Sequence, residues 1–309
     1  MSRTLYLHIG APKAASTTLQ KRVFPFLEDV AFVSKPRFDL VPRRNSWDGE
    51  LASLVLDSPD VWATHGQTFF QRLNALPGVA ESKAVLVSDE NMSVNRGLVP
   101  QHLYQHLARF IDLARQHGYS RIRLILVTRR QDEWLASAYA QTSYRFAKPG
   151  QKDFERWIAA KLGTDQAFQT AGIALDYNSL HLLLSELVST EDCLVLPLEM
   201  LAHRPQGFTT ALRDFLGQTP RQDDSALTDN QMRMNVRSTG ASSSTGVRAW
   251  QLRPTSFWRR WSPGAIQLDG RLTAAIMNRY GPGNLALAQR LGIPLADYGY
   301  GPVAVGEGT

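Results

Sequence analysis

One cysteine, Cys193, stands in 309 residues. It excludes an intrachain disulfide and a cysteine-built metal cluster, suits a reducing compartment, and is read as a small buried hydrophobe. No H-E-x-x-H string occurs, and no metal site is expected. Long apolar runs are missing as well. Leu180 to Val188 is interrupted by His181, Ser185 and Glu186, and it falls far short of the roughly 20 residues that cross a bilayer. The amino terminus returns to turn-forming residues by Gly10, before a signal-peptide core is completed, so a soluble, cytoplasmic protein is expected. Charge of one sign is in modest excess: 34 Lys+Arg against 28 Asp+Glu leave +6. That suits an anionic ligand and falls short of the basic stripe of a protein that coats nucleic acid.

What is present supports a core, since 43% of the residues are hydrophobic. The run 4–9 reads as a strand, followed by the turn Gly10-Ala11-Pro12 and a helix start at Ser16-Thr17-Thr18 that ends near Pro25. Residues 34–66 read as polar and irregular. Ala84 to Ser88 and Arg123 to Val127 are continuous apolar runs of the kind buried in a parallel sheet. Between them Leu103, Leu107, Phe110 and Ala114 recur at helical spacing, with Gly118 past the helix end. On the same helix His102, His106 and His117 read as surface or partly packed residues. Helices are expected near 131–146, 153–162, 178–188 and 205–216, and a strand at 193–196. Strands alternating with helices imply an α/β three-layer sandwich with a central parallel sheet. The loops after residues 9, 88 and 127 then converge beyond the carboxyl ends of the strands, where such sheets bind ligands.

The loop after the first strand carries Lys13, Ala14, Ala15, Ser16, Thr17 and Thr18. A helix amino terminus with unpaired N–H groups, a lysine and three hydroxyls is a seat for phosphate or sulfate. The pattern G-x-x-x-x-G-K-[ST] fails here, because counting from Gly10 puts Ala15 at its second glycine and Ser16 at its lysine. Instead Pro12-Lys13-Ala14-Ala15-Ser16-Thr17-Thr18-Leu19 resembles the 5′-phosphosulfate loop, P-K-[ST]-G-[ST]-[ST]-x-L, of bacterial sulfotransferases that use 3′-phosphoadenosine 5′-phosphosulfate (PAPS). Ala15 replaces the glycine of that loop.

In that family an Arg at a strand end and a Ser eight residues later hold the 3′-phosphate. Arg129 and Ser137 reproduce the spacing, with Gln131 where the family often has Pro. Leu196 to Leu201 and Asn284 to Ala288 are similar to two weaker family strings. The resemblance implies a P-loop NTPase-like sulfotransferase fold over residues 1–309 as a single domain. It also implies PAPS as cofactor, 3′-phosphoadenosine 5′-phosphate as product, and a hydroxyl-bearing glycan, glycolipid or small-molecule acceptor.

Lys13 and the loop N–H groups would then stabilise charge on the departing phosphate, as in phosphoryl transfer, with no metal required. The family's base is a His or a carboxylate near the end of a neighbouring strand. Glu90, in Ser88-Asp89-Glu90, occupies such a place and is the first choice, with His65 and His8 in reserve; a pKa raised in a closed site would suit it. Residues 228–246 have the composition of a lid, with Arg233, Asn235 and Arg237 as nucleotide contacts, Arg237 first. Phe257 to Trp261 sets rings beside cations, to stack on a sugar, touch a membrane surface peripherally or close a cation–π cluster on the protein itself. The alternatives are a P-loop kinase or NTPase, which the missing GK[ST] lysine disfavours, and a nucleotide-binding protein without turnover.

Overall fold

The computed structural model describes residues 3–42, 48–94, 100–163, 175–218, 238–239, 248–253 and 264–303. In chain order, β1 (Arg3–Gly10), α1 (Ser16–Thr18), β2 (Val30–Ser34), α2 (Glu50–Leu54), α3 (Val61–Asn74), β3 (Ala84–Ser88) and α4 (Pro100–Gln116) come first. They are followed by β4 (Tyr119–Thr128), α5 (Gln131–Thr142), α6 (Gln151–Leu162), α7 (Tyr177–Ser185), β5 (Cys193–Pro197), α8 (Leu198–His203) and α9 (Pro205–Leu216). The chain closes with β6 (Ser238–Thr239), β7 (Arg248–Gln251), β8 (Ala265–Leu268) and α10 (Gly270–Leu291). These elements fall into two compact units, Met1–Thr128 with Phe168–Met232, and Arg129–Ala167 with Arg233–Thr309.

The first unit is an α/β unit built on a five-stranded sheet in the order β2-β3-β1-β4-β5, every neighbouring pair parallel. Leu5, Leu7, Ile9, Val85, Leu86, Val87 and Leu124 to Val127 are completely buried, which is why these strands read as unbroken apolar runs rather than alternating ones. From β1 the chain goes out to the edge strand β2, returns to β3, and then crosses to β4 on the far side of β1. The connections therefore diverge at β1, and its carboxyl end is the switch point of the sheet.

Residues 34–66, expected to be irregular, contain α2 and the start of α3. A contact distant in sequence organises α2: Ala52 N–H donates to Asp89 Oδ2 at 2.9 Å, the bond a local N-cap side chain would otherwise supply. The helix expected to end near Pro25 continues as a π segment, Leu19–Val23, and a 3-10 turn, Phe24–Phe26. Pro25 sits in the first positions of that turn, where its missing N–H costs nothing. Cys193 is buried in β5, and burial pushes its thiol up to about 12.

The second unit combines α5, α6 and α10 with an antiparallel sheet in the order β6-β7-β8, which the sequence reading did not foresee. Trp250 faces Ile266 across β7 and β8, both buried. Gln131 and Asn284 exchange two side-chain amide bonds, 2.8 and 3.0 Å, buried between α5 and α10. The residue standing in place of a turn proline thus locks two helices. Of the expected lid, 228–246, only Ser238 and Thr239 lie within the described residues. Phe257 to Trp261 lie outside them. Among the described residues no helix is long and apolar enough to cross a membrane.

Candidate functional site

β1 ends at Gly10, where its pairing with β4 slips between His8 and Gly10. Gly10 has φ 124°, and a Cβ there would lie 2.6 Å from both the Glu90 carbonyl oxygen and Ser93 Oγ. Only glycine lets the end of β1 lie directly against the turn that carries Glu90. The chain then folds back on itself: Ala11 N–H donates to the Val127 carbonyl at 2.7 Å and Ala14 N–H to the Ala11 carbonyl at 3.2 Å. Lys13 (φ 68°) and Ala15 (φ 57°) adopt the left-handed conformation, which costs an L-residue about 1–2 kcal/mol. The family's glycine at the position of Ala15 therefore has a conformational reason. The strain is held by the packed loop, a pattern that marks functional turns.

Ala15 is the N-cap of α1 and contributes no side-chain capping bond. The helical run from Ser16 therefore opens with amino-terminal N–H groups that no cap side chain occupies. Ser16 and Thr18 are buried and Lys13, Ala15 and Thr17 half-buried, while Ala14 is fully buried. One turn further on, in the π segment, Gln20 Nε2 donates to Ser88 Oγ at 2.9 Å and to Glu90 Oε2 at 2.8 Å. Wide helical turns of this kind recur at functional sites.

Glu90 opens the turn after β3, with Lys35 Nζ 2.7 Å from its Oε1. Burial pushes its carboxyl up, but the Lys35 charge, with hydrogen bonds from Lys35 and Gln20, outweighs burial and holds it below the ordinary value. The raised pKa expected at this place belongs to the neighbour. Asp89, fully buried, is pushed up to about 7 by burial first; its bond from Ala52 N–H opposes, Glu90 raises it, Lys35 lowers it and Asp48 raises it. His8 is also fully buried, with Nδ1 2.8 Å from Ser88 Oγ and its ring edge-on to Phe24. Burial lowers its pKa to about 4, with Glu90 raising and Lys35 lowering by less, so it is neutral at pH 7. His65, half-buried on α3, takes no part in these bonds.

The second expected motif lies in the other unit. Arg129 lies two residues before α5, and Glu133 and Ser137, spaced i, i+4 on that helix, share one of its faces. Glu133 Oε2 accepts from Arg129 Nη2 at 2.9 Å, and its Oε1 pairs with Arg248 of β7. Arg130 turns instead to the buried Asp132, with bonds of 3.2 and 2.6 Å. Arg233, Asn235 and Arg237 lie outside the described residues.

Sequence reasoning missed Gln20, Lys35, Glu133 and Arg248. Glu133 carried a signal, since it lies four residues from both Arg129 and Ser137. Gln20 and Lys35 carried none, because their partner lies on another strand.

No family model matches the chain, and no curated protein does. The structure matches that of a sulfotransferase from Alicyclobacillus acidocaldarius over 96% of this chain and 99% of that one, at 13% identity and a TM-score of 0.53. The fold is therefore that of the sulfotransferases. Looser likenesses are the sulfotransferase domain of the Synechococcus PCC 7002 olefin synthase, 16% identical over 76% of this chain and 80% of that one at a TM-score of 0.44, and the mouse sulfotransferase SULT7A1 complexed with PAP, 12% identical over 73% and 63% at 0.41.

Proposed function

We propose that the chain is a sulfotransferase that moves the sulfuryl group of PAPS to a hydroxyl of a glycan, glycolipid or small-molecule acceptor. The observation that carries this reading is the strained loop Gly10 to Thr18 at the switch point of a sulfotransferase fold, with the Glu90 turn packed on Gly10. The residues present fit the nucleotide. An uncapped helical start, the Lys13 ammonium and the hydroxyls of Ser16, Thr17 and Thr18 form a donor set for an anion. Bound there, PAPS supplies the sulfuryl group and a phosphate leaving group.

Lys13 and the amides of Ala15 and Ser16 stabilise the charge that grows on that phosphate, while the Ala14 N–H holds the loop itself through the Ala11 carbonyl. Arg129 and Ser137 hold the 3′-phosphate, with Arg237 a further contact; Glu133 then shares the Arg129 guanidinium with the ligand. Glu90, ionised at neutral pH, accepts the proton of the acceptor hydroxyl as its oxygen attacks sulfur and the sulfur–oxygen bond to phosphate breaks. The acceptor, not nucleic acid, is the partner this site is built for, and the protein is placed in the cytoplasm.

The test is release of 3′-phosphoadenosine 5′-phosphate from PAPS, in water alone and with a panel of sugars, glycolipids and phenols, in the presence of chelator. Acceleration by at least one hydroxyl acceptor is expected. Hydrolysis of ATP with Mg²⁺ and indifference to PAPS would replace this reading by that of a kinase or NTPase.

A further inference from the structure

Glu90 is held by a different element at each oxygen. Oε1 meets Lys35 Nζ at 2.7 Å, from the residue that follows β2, and Oε2 meets Gln20 Nε2 at 2.8 Å, from the helical run that leaves the donor loop. Both partners are fixed in turn. Lys35 N–H donates to the Ser88 carbonyl at 2.9 Å, and Gln20 Nε2 also reaches Ser88 Oγ at 2.9 Å. We propose that Lys35 and Gln20 are positioning residues for Glu90, the first fixing it as an anion and the second fixing its distance from the loop that receives the sulfuryl donor.

The inference rests on the sulfotransferase reading for the meaning of that distance, though the clamp itself is independent of it. A carboxylate that must take a proton from an acceptor in line with the donor needs a set orientation, and misplacement by about 1 Å costs on the order of 100-fold in rate. Gln20 lies two residues beyond Thr18 on one continuous helical run, so the base is gauged from the element that carries the anion-binding hydroxyls. Lys35 answers a different need. Burial favours the neutral acid, and the titratable groups facing Glu90 include Asp89 on its own turn, which is joined electrostatically to Asp48 ahead of α2 and keeps its proton up to about pH 7, and His8 on β1, which is neutral at pH 7. Among the described residues Lys35 is the cation that holds Glu90 down against burial, and removing it leaves burial to act with that opposition gone.

The experiment is a ¹³C NMR titration of side-chain-labelled glutamate, with the Glu90 resonance assigned by its loss in Glu90→Gln. In the wild type the midpoint is expected below 4.5. Lys35→Met should raise it by roughly one unit or more, and Lys35→Arg should restore it. Gln20→Leu should lower PAPS turnover roughly tenfold or more while leaving the calorimetric Kd for 3′-phosphoadenosine 5′-phosphate unchanged. An unmoved midpoint in Lys35→Met, or equal losses of turnover and nucleotide affinity in Gln20→Leu, overturns the proposal. Failure of the wild type to bind the nucleotide defeats the sulfotransferase reading by a separate measurement. Should Lys35→Met fail to fold, Lys35→Gln is titrated in its place, with the same rise supporting the proposal and an unmoved midpoint overturning it.

Discussion

Trp62 donates its indole N–H to His106 Nδ1 at 2.9 Å, and His106 Nε2 lies 3.1 Å from the Asp57 carbonyl oxygen. The pair fixes a neutral ring protonated on Nε2, completely buried where the sequence suggested a surface or partly packed residue. Burial lowers its pKa to about 4, and the same holds for His8.

Acid should therefore destabilise the protein with a calculable slope. Between about pH 4.5 and 6 the unfolded chain protonates both histidines while the folded one does not, and only the folded chain keeps the proton on Asp89. Two protons gained on unfolding by these histidines against one lost by Asp89 leave a net of one, and the lowered His117 and Glu90 add in the same direction, so stability should rise with pH by at least about 1.4 kcal/mol per unit. Asp89→Asn should steepen the slope by about 1.4 kcal/mol per unit, and His106→Gln should reduce it by the same amount. Urea melts across this window check the sign; a slope that Asp89→Asn leaves unchanged would contradict it.

Glu50 supplies the second prediction. Its buried carboxylate accepts four backbone N–H bonds, from Phe38 and Asp39 on Oε2 and from Leu40 and Val41 on Oε1, at 2.8 to 3.1 Å. Glu50→Gln turns an amide donor toward two of those N–H groups and should cost roughly 2–4 kcal/mol in a urea melt. A change too small to measure would mean that these bonds do not hold the loop that follows Lys35.

Ala15→Gly should stabilise the protein. The left-handed residue loses its Cβ penalty of about 1–2 kcal/mol, offset by the greater freedom of glycine in the unfolded chain, for a net gain of about 1 kcal/mol or less. A lower Tm would show that this loop conformation is not the one the protein adopts.

Lys13→Met should lower PAPS turnover on the order of 100-fold and leave the melting temperature near that of the wild type. Equal turnover would remove Lys13 from the chemistry.

The central strands were legible because each is buried on both faces, and an unbroken apolar run has no other ready explanation. β2 was not: it is an edge strand, half-exposed along Ala31 to Val33, and its pattern is weak. α2 escaped because its cap, Asp89, lies 37 residues away. His106 was readable in principle, since it falls between Leu103 and Phe110 on the apolar stripe of α4. In the site, the loop after β1 announced itself through residues adjacent in sequence. The clamp on Glu90 joins positions 20, 35 and 90, and no local spacing encodes it.

The measurement that bears most directly on the central claim is calorimetric binding of 3′-phosphoadenosine 5′-phosphate, beside ATP with Mg²⁺, to the wild type and to Arg129→Ala. Preference for the 3′-phosphorylated nucleotide, lost in the variant, is the predicted result. Preference for ATP with Mg²⁺, or no nucleotide binding, would contradict the sulfotransferase reading.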